Sequence, residues 1–300
     1  MKETILVPTD FTIVARYSMD HAVNLARIFN RKIVLLHIVG KKVLGTPKED
    51  ILTAKMHDAV AWIKKKSDVQ VSWVLEEGNI FTSISEVAVR IKAEFIVIGI
   101  HGKKGVQHIM GSYAYKVVCS SHIPVLLVKK LHRHIGYTNI VLPIDFSAES
   151  TQKILKSIKF SHYFGAKIKV FGFLGTRNPA KLINKQALLK KVKDVYAELG
   201  LTVTTDLCVD PSSDWPEALM RFSEKIEADL IMIVAEKDGG IPDIFGQNTT
   251  ETLIDKSEIP ILTVIPSPCE DNPDLETVVK TFIDPMGITS GRITSKHPIS

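Results

Sequence analysis

A glycine-rich turn followed by a glycine and a serine carries the most informative chemistry of this sequence. Gly99 and Gly102 follow an apolar run, and Gly111 and Ser112 come after eight intervening residues. Glycines at such a turn let backbone N–H groups approach phosphate oxygens, and the N-terminus of a following helix offers unpaired donors at the positive end of its dipole. The pattern therefore predicts a phosphate-binding turn, with a plain tight turn and helix cap as the alternative.

Asp10 follows the first apolar run of the chain. A carboxylate at this place can accept hydrogen bonds from ribose hydroxyls, and the carboxyl ends of parallel strands share one edge of a sheet, where open α/β sheets bind ligands. Asp10 and the glycine turn together predict a mononucleotide pocket. His101 and His108 flank the turn, but no carboxylate stands at a spacing that would orient either one as a general base. His37 fits a hydrogen-bonded histidine at a strand end.

These residues lie between apolar runs that alternate with helical segments. Residues 33–36 and 95–98 are continuously apolar, as in strands that helices cover on both faces. Alternation of such strands with helices predicts an α/β fold with an open parallel sheet. In the first half the predicted strands are residues 4–7, 32–39, 69–75, 95–100 and 125–129, and the predicted helices are about 15–29, 50–66, 81–92 and 112–120.

The same unit occurs twice. The octapeptide that begins at Ile5 returns in similar form at Ile140, and the one that begins at Ser121 returns at Ser257. A repeat of this length is a duplicated domain, because solenoid repeats are about 20 to 50 residues long. The predicted organisation is a first domain over residues 1–133, a second over 134–267 and a tail over 268–300. The second domain has predicted strands at 140–142, 167–174, 202–207, 230–234 and 261–265, and predicted helices at about 149–164, 179–199, 215–226 and 249–256.

The short polar junction between the halves predicts that they pack together as an internal pseudo-dimer. Pairing the closing strands, residues 125–129 and 261–265, would remove two apolar sheet edges that otherwise promote aggregation. The tail has apolar residues at helical spacing, which makes a docked helix an option there.

Composition narrows the class of protein. The formal charge of +5 comes from lysines scattered without interleaved aromatics, which favours a solvated surface over nucleic-acid binding. No apolar run is long enough for a membrane span, so we expect a cytoplasmic protein without a membrane partner. The three cysteines form no C-x-x-C pair and fit reduced thiols. The sequence also has no Walker lysine, nucleophile elbow or H-E-x-x-H motif.

With Pro8, Thr9 and Asp10 after the first strand, Ile38 near the end of the second and the glycine turn after the fourth, this sequence resembles the universal stress protein family. The resemblance covers residues 1 to about 130 well and 138 to about 266 more loosely, as in tandem members of the family. It implies a five-stranded parallel sheet in each unit, pairing of units through the last strand and, in one branch, binding of ATP or AMP. The resemblance does not decide whether two whole chains also form a homodimer.

The resemblance also implies a set of site residues. The nucleotide-binding branch uses Gly-x2-Gly-x9-Gly-Ser/Thr for phosphates, an aspartate for the ribose and backbone groups after the second strand for adenine. Carried over to this sequence, the nucleotide-binding residues are Pro8, Thr9, Asp10, Ile38, Gly99, Gly102, Gly111, Ser112 and Tyr113. The loop before Gly111 is one residue shorter than the pattern. The sequence therefore does not decide whether the ligand is ATP or AMP, or whether Mg²⁺ accompanies it.

The second half departs further from the pattern. Val234, Lys237 and Gln247 stand where the first half has Gly99, Gly102 and Ser112, so side chains replace the hydrogens that phosphate would approach. The sequence thus predicts one nucleotide site, in the first half, in a stress-response sensor or adaptor that acts on an unknown protein partner and is not an enzyme. The alternatives are a nucleotide-free interaction scaffold and a slow ATPase.

Overall fold

The computed structural model describes residues 3–101, 111–131, 136–144, 154, 157, 164–234 and 247–264. The first half contains β1 (Thr4–Pro8), α1 (Ile13–Phe29), β2 (Lys32–Val39), α2 (Pro47–Lys66), β3 (Val71–Glu77), α3 (Ile80–Arg90), β4 (Ala93–Gly99), α4 (Gly111–Ser120) and β5 (Val125–Val128). The second half contains β6 (Asn139–Ile144), β7 (Lys167–Leu174), α5 (Pro179–Glu198), β8 (Val203–Val209), α6 (Trp215–Lys225), β9 (Leu230–Val234), α7 (Gln247–Lys256) and β10 (Ile261–Val264). Ile154, Ser157 and Phe164 are helical, as predicted for that segment.

All ten strands form one sheet in the order β3-β2-β1-β4-β5-β10-β9-β6-β7-β8. Every neighbouring pair is parallel except the central pair β5 and β10, which is antiparallel. Each half therefore contributes five parallel strands with the same internal order. The predicted α/β fold, with two repeated parallel units joined as an internal pseudo-dimer, is confirmed.

The junction between the halves is made by the closing strands. Leu127 pairs with Ile261 and Val125 pairs with Thr263. The Thr263 hydroxyl also donates to the Val125 carbonyl oxygen at 3.1 Å and accepts from the Val125 N–H at 3.2 Å. The predicted pairing of these strands is confirmed. The exact domain boundaries and the docked helix of the tail stay predictions, because residues 132–135 and 265–300 lie outside the described part of the chain.

Apolar side chains fill both faces of the sheet. One layer joins Ile5 of β1 to Ile140 of β6, and the other joins Leu6 of β1 to Val141 of β6. Each layer runs through both halves without interruption, so the halves share their hydrophobic cores as well as their sheet. Burial of apolar side chains on two faces explains why the central strands are continuously apolar in sequence.

Two further expectations bear on the class of protein. No helix in the described ranges is both long and apolar enough to cross a membrane. Cys119 and Cys208 are free thiols, as the sequence predicted. Burial raises the pKa of both thiols, which disfavours the reactive thiolate. Cys269 lies outside the described residues.

Candidate functional site

A cleft of about 390 Å³ lies at the carboxyl ends of β1 and β2, bounded by α3 and α4. We call it the carboxyl-end cleft. Its volume falls in the range of small-molecule pockets, about 300 to 1,000 Å³. The predicted site residues that line it are Pro8, Thr9, Asp10, Ile38 and Tyr113. The fold therefore brings together five of the nine residues that the sequence predicted.

Thr9 fixes the turn that follows β1. Its N–H donates to the Leu36 carbonyl oxygen at 2.8 Å, and its side-chain oxygen accepts from the Phe11 N–H at 3.1 Å. Phe11 has φ 64°, a left-handed conformation that is rare for a bulky residue, and its ring packs 4.5 Å from the imidazole of His37. The turn is thus tied to β2 on one side, and strain of this kind is often found at functional sites.

His37 is a hydrogen-bonded histidine at the end of β2, as predicted. Its Nδ1 lies 2.7 Å from the Thr9 carbonyl oxygen, and because a carbonyl only accepts, Nδ1 carries the hydrogen. Burial lowers the pKa of His37, against smaller opposing effects of the Thr9 hydrogen bond and the Asp10 charge. The neutral imidazole is therefore the form that the fold favours.

Asp10 is held in place by Thr12. The Asp10 Oδ1 accepts from the Thr12 N–H at 3.0 Å and from the Thr12 hydroxyl at 2.5 Å. The same Thr12 oxygen accepts from the Ala15 N–H and so caps the N-terminus of α1. The side chain of Asp10 is 31% exposed, so part of the carboxylate faces the cleft.

His101 joins this group from the neighbouring strand. Its Nε2 lies 3.0 Å from the Thr12 Oγ1 and 3.7 Å from the Asp10 Oδ2. Since the Thr12 hydroxyl hydrogen points to Asp10, Nε2 is the donor to Thr12. The sequence showed no carboxylate at a spacing that would orient His101 as a general base, and the fold brings Asp10 near it at an ion-pair distance that is too long for a hydrogen bond. The adjacency of β1 and β4 in the predicted parallel sheet was the signal that would have found Asp10.

The structure describes some residues of the predicted glycine turn and not others. A Cβ added to Gly99 would lie 2.4 Å from the Val14 carbonyl oxygen, so this glycine lets α1 pack closely against β4. Gly111 and Ser112 form the start of α4, in agreement with a helix N-terminus there. Gly102 and His108 lie outside the described residues. The phosphate-binding roles of these residues stay predictions.

Phe81, which was not among the predicted site residues, completes one side of the cleft. Phe81 lines the carboxyl-end cleft beside Tyr113, with 5.3 Å between their ring centroids. The two residues are far apart in sequence and on different helices, so spacing alone gave no signal for the pair. The amphipathic pattern of α3 predicts which of its residues are buried. It does not predict that Phe81, in the first turn of the helix, lies at the cleft.

An open parallel sheet with a ligand-sized cleft at the carboxyl ends of its strands is the arrangement in which many α/β proteins bind ligands. Residues 1–129 match the universal stress protein family. Universal stress protein MJ0531 of Methanocaldococcus jannaschii is 32% identical over 138 residues, which cover 42% of this chain and 81% of that protein. Universal stress protein MJ0577 of the same organism is 26% identical, over 43% of this chain and 96% of that protein. The chain belongs to the universal stress protein family.

The fold of the whole chain also has solved counterparts. A universal stress protein from Archaeoglobus fulgidus aligns with a TM-score of 0.67 and 18% identity, over 87% of this chain and 98% of that one. A putative universal stress protein from Pseudomonas aeruginosa aligns with a TM-score of 0.64 and 14% identity, over 94% and 98%. These likenesses extend across both halves, so the two-unit architecture is shared with other members of the fold.

Proposed function

We propose that this stress protein binds an adenine nucleotide, ATP or AMP, in the carboxyl-end cleft of its first half. Binding would serve a sensor or adaptor role, in which an occupied site presents a different surface to a protein partner. The first unit, residues 1–133, carries the site, and the second, residues 134–267, is structural. We place the protein in the cytoplasm, without a nucleic-acid or membrane partner.

The observation that carries this proposal is the convergence of Pro8, Thr9, Asp10, Ile38 and Tyr113 on one cleft of ligand size. The residues come from three separate segments, and all five are among the site residues that the sequence predicts. A convergence of polar and apolar groups in one pocket is the usual mark of a small-molecule site.

The parts of the cleft suit the parts of a nucleotide. Asp10 is oriented by Thr12 and lines the cleft, and a carboxylate is a suitable acceptor for ribose hydroxyl groups. Ile38 lies on β2 at the cleft and offers backbone groups to the edge of the base. The N-terminus of α4 at Gly111 supplies N–H donors suited to phosphate. Mg²⁺ would enter only with a polyphosphate, as a partner of its oxygens.

We propose binding as the function, with any ATP hydrolysis slow and incidental. The Asp10–His101 contact joins a carboxylate to an imidazole, but the Asp10 Oδ1 and the Thr12 hydroxyl are used to hold the turn and cap α1. These groups organise the site, and their hydrogen bonds favour a fixed carboxylate over one that exchanges protons with a substrate.

Substitution of the glycine that begins α4 tests the proposal. Gly111→Val places a β-branched side chain at the helix N-terminus, and we expect it to abolish the rise in melting temperature that ATP or AMP gives the wild type. At about 100 times the dissociation constant, the ligand should stabilise the wild type by roughly 2.7 kcal/mol. Gly246→Val, which changes the glycine that directly precedes α7 in the second half, is the control and should retain the shift. A wild type that shows no shift with either nucleotide would favour the nucleotide-free scaffold.

A further inference from the structure

Phe81 and Tyr113 form an aromatic face at the mouth of the carboxyl-end cleft. Phe81 is the second residue of α3 and Tyr113 is the third residue of α4. Their rings are tilted by 44°, and both line the cleft together with Asp10 and Ile38. The Lys116 Nζ lies 5.3 Å from the centroid of Phe81 and 5.9 Å from that of Tyr113, within the distance of a cation–π contact.

The position of Phe81 is fixed by its backbone. The Asn79 Oδ1 accepts from the Phe81 N–H at 2.9 Å and caps α3, and the Ser120 hydroxyl donates to the Phe81 carbonyl oxygen at 2.9 Å. The second bond ties the start of α3 to the end of α4. Because both bonds hold the Phe81 backbone without a ligand, the start of α3 is already positioned at the cleft before a ligand binds.

Tyr113 is not a core residue of α4. Its side chain is 37% exposed, whereas Ala114 and Val117 of the same helix are fully buried. The helix therefore packs through other residues and leaves the tyrosine ring at the cleft. A partly exposed aromatic ring beside a ligand-sized cleft is available for contact with a ligand.

At the helix positions of the described second half that match Phe81, Tyr113 and Lys116, the residues are different. The second residue of α6 is Pro216, and the third and sixth residues of α7 are Thr249 and Thr252, where the first half has Tyr113 and Lys116. Both helix pairs pack on the same layer of the sheet, through residues such as Val87 in the first half and Leu219 in the second. The packing of that layer therefore does not require the aromatic residues.

We propose that Phe81 and Tyr113 form a stacking wall for the base of the bound nucleotide and give the site a preference for purines over pyrimidines. This inference rests on the proposed function and names how the same site selects its ligand. A planar base packs on aromatic rings through offset or tilted contacts, and a purine presents a larger face than a pyrimidine. The wall contacts the face of the base, and Ile38 contacts its edge.

Three ligands and four variants, one of them a control, test the wall. The wild type should bind AMP more tightly than CMP, and ribose 5-phosphate, which has no base, more weakly than either. Phe81→Leu and Tyr113→Val should each weaken AMP by about tenfold and leave ribose 5-phosphate unchanged, because only stacking is lost. Tyr113→Phe keeps the ring and should restore AMP affinity. Phe222→Leu, which removes one ring of the Phe171–Phe222 pair in the second half, is the control and should bind AMP as the wild type does.

A spectroscopic readout separates stacking from collapse of the cleft. The H2 and H8 resonances of AMP should shift upfield on binding to the wild type through the ring currents of the wall, and the Tyr113→Val variant should reduce that shift. If the two wall variants weaken AMP and ribose 5-phosphate equally, or weaken neither, the wall is wrong while nucleotide binding stands. A wild type that binds neither AMP nor ATP overturns the proposed function and the wall together.

Discussion

The two halves of the molecule agree in the middle of the sheet and differ at the carboxyl ends of their strands. Both halves contribute five parallel strands in the same order, and their closing strands pair about the centre. At the strand ends, Gly99 of β4 corresponds to Val234 of β9, and Phe81 of α3 corresponds to Pro216 of α6. The fold thus depends on apolar strands that both halves possess, whereas the site depends on a few residues that only the first half has.

We expect the largest effect on stability from a substitution at the junction of β5 and β10, which both halves build together. Leu127 is 1% exposed and pairs with Ile98 on one side and Ile261 on the other. Leu127→Asp buries an unpaired charge in that junction and should lower the free energy of unfolding by about 4 kcal/mol, with aggregation as both edges open. Urea unfolding and light scattering measure the two effects.

The matched control for the junction is Leu131→Asp, because Leu131 is close in sequence but 51% exposed. It should change stability little. Equal stability of the Leu127 variant and the wild type would contradict a junction built on β5 and β10.

Gly99 tests the difference between the halves at the end of β4. Replacing it with valine, the residue at the corresponding position of β9, forces a Cβ to within 2.4 Å of the Val14 carbonyl oxygen. We expect a loss of about 2 kcal/mol from displacement of α1. Gly40→Val is the control, since a Cβ at Gly40 has no neighbour within 4 Å. Similar thermal unfolding of the two variants would show that α1 does not need the glycine.

Thr12 tests the link between the site and α1. Thr12→Ala removes the helix cap and the hydroxyl hydrogen bond to Asp10, and should cost about 1 kcal/mol of stability together with nucleotide affinity. Asn178→Ala removes the cap of α5 in the second half, where the Asn178 Oδ1 accepts from the Lys181 N–H. It should cost similar stability and leave nucleotide affinity unchanged. Calorimetric melting and titration on both variants separate the two roles of Thr12.

His37 gives the smallest expected effect, in the pH dependence of stability. Its folded-state pKa lies below the usual 6.5, so between these two values the unfolded chain binds more protons. Stability should therefore rise with pH across that window and be lost as pH falls through the folded-state pKa of His37. His37→Asn keeps a donor for the Thr9 carbonyl and should flatten this slope in urea unfolding series. The exposed His122→Asn is the control, and the hypothesis fails if the two variants have the same slope.

Several elements could be predicted from sequence because they are buried on both faces. The bounds of β2, β7 and β9 agree with their apolar runs. Strand β3 is displaced by two residues from its predicted range because it is an edge strand, half-buried, with a weaker apolar signal. Helix α2 begins at Pro47, earlier than predicted, although proline in the first turn and acidic residues after it are signals of a helix start.

The parts of the candidate site that lie within one short segment could be predicted from sequence. The parts that depend on contacts between distant segments could not. The turn from Pro8 to Asp10 was predicted from one continuous run of residues. The approach of His101 to Asp10 depends on β1 and β4 being neighbours, and the Phe81–Tyr113 pair depends on the packing of α3 against α4. Contacts of this kind are set by tertiary structure and leave no local pattern.

The number of nucleotides bound per chain tests the central claim most directly. Equilibrium dialysis of the full chain with labelled ATP and with labelled AMP should give one site per chain for the nucleotide that binds. Asp10→Ala should remove that site, because the oriented carboxylate at the cleft is lost. Asp145→Ala, the corresponding change in the second half, should leave one site of unchanged affinity. Two equivalent sites, or a single site that Asp145→Ala removes and Asp10→Ala preserves, would contradict the account.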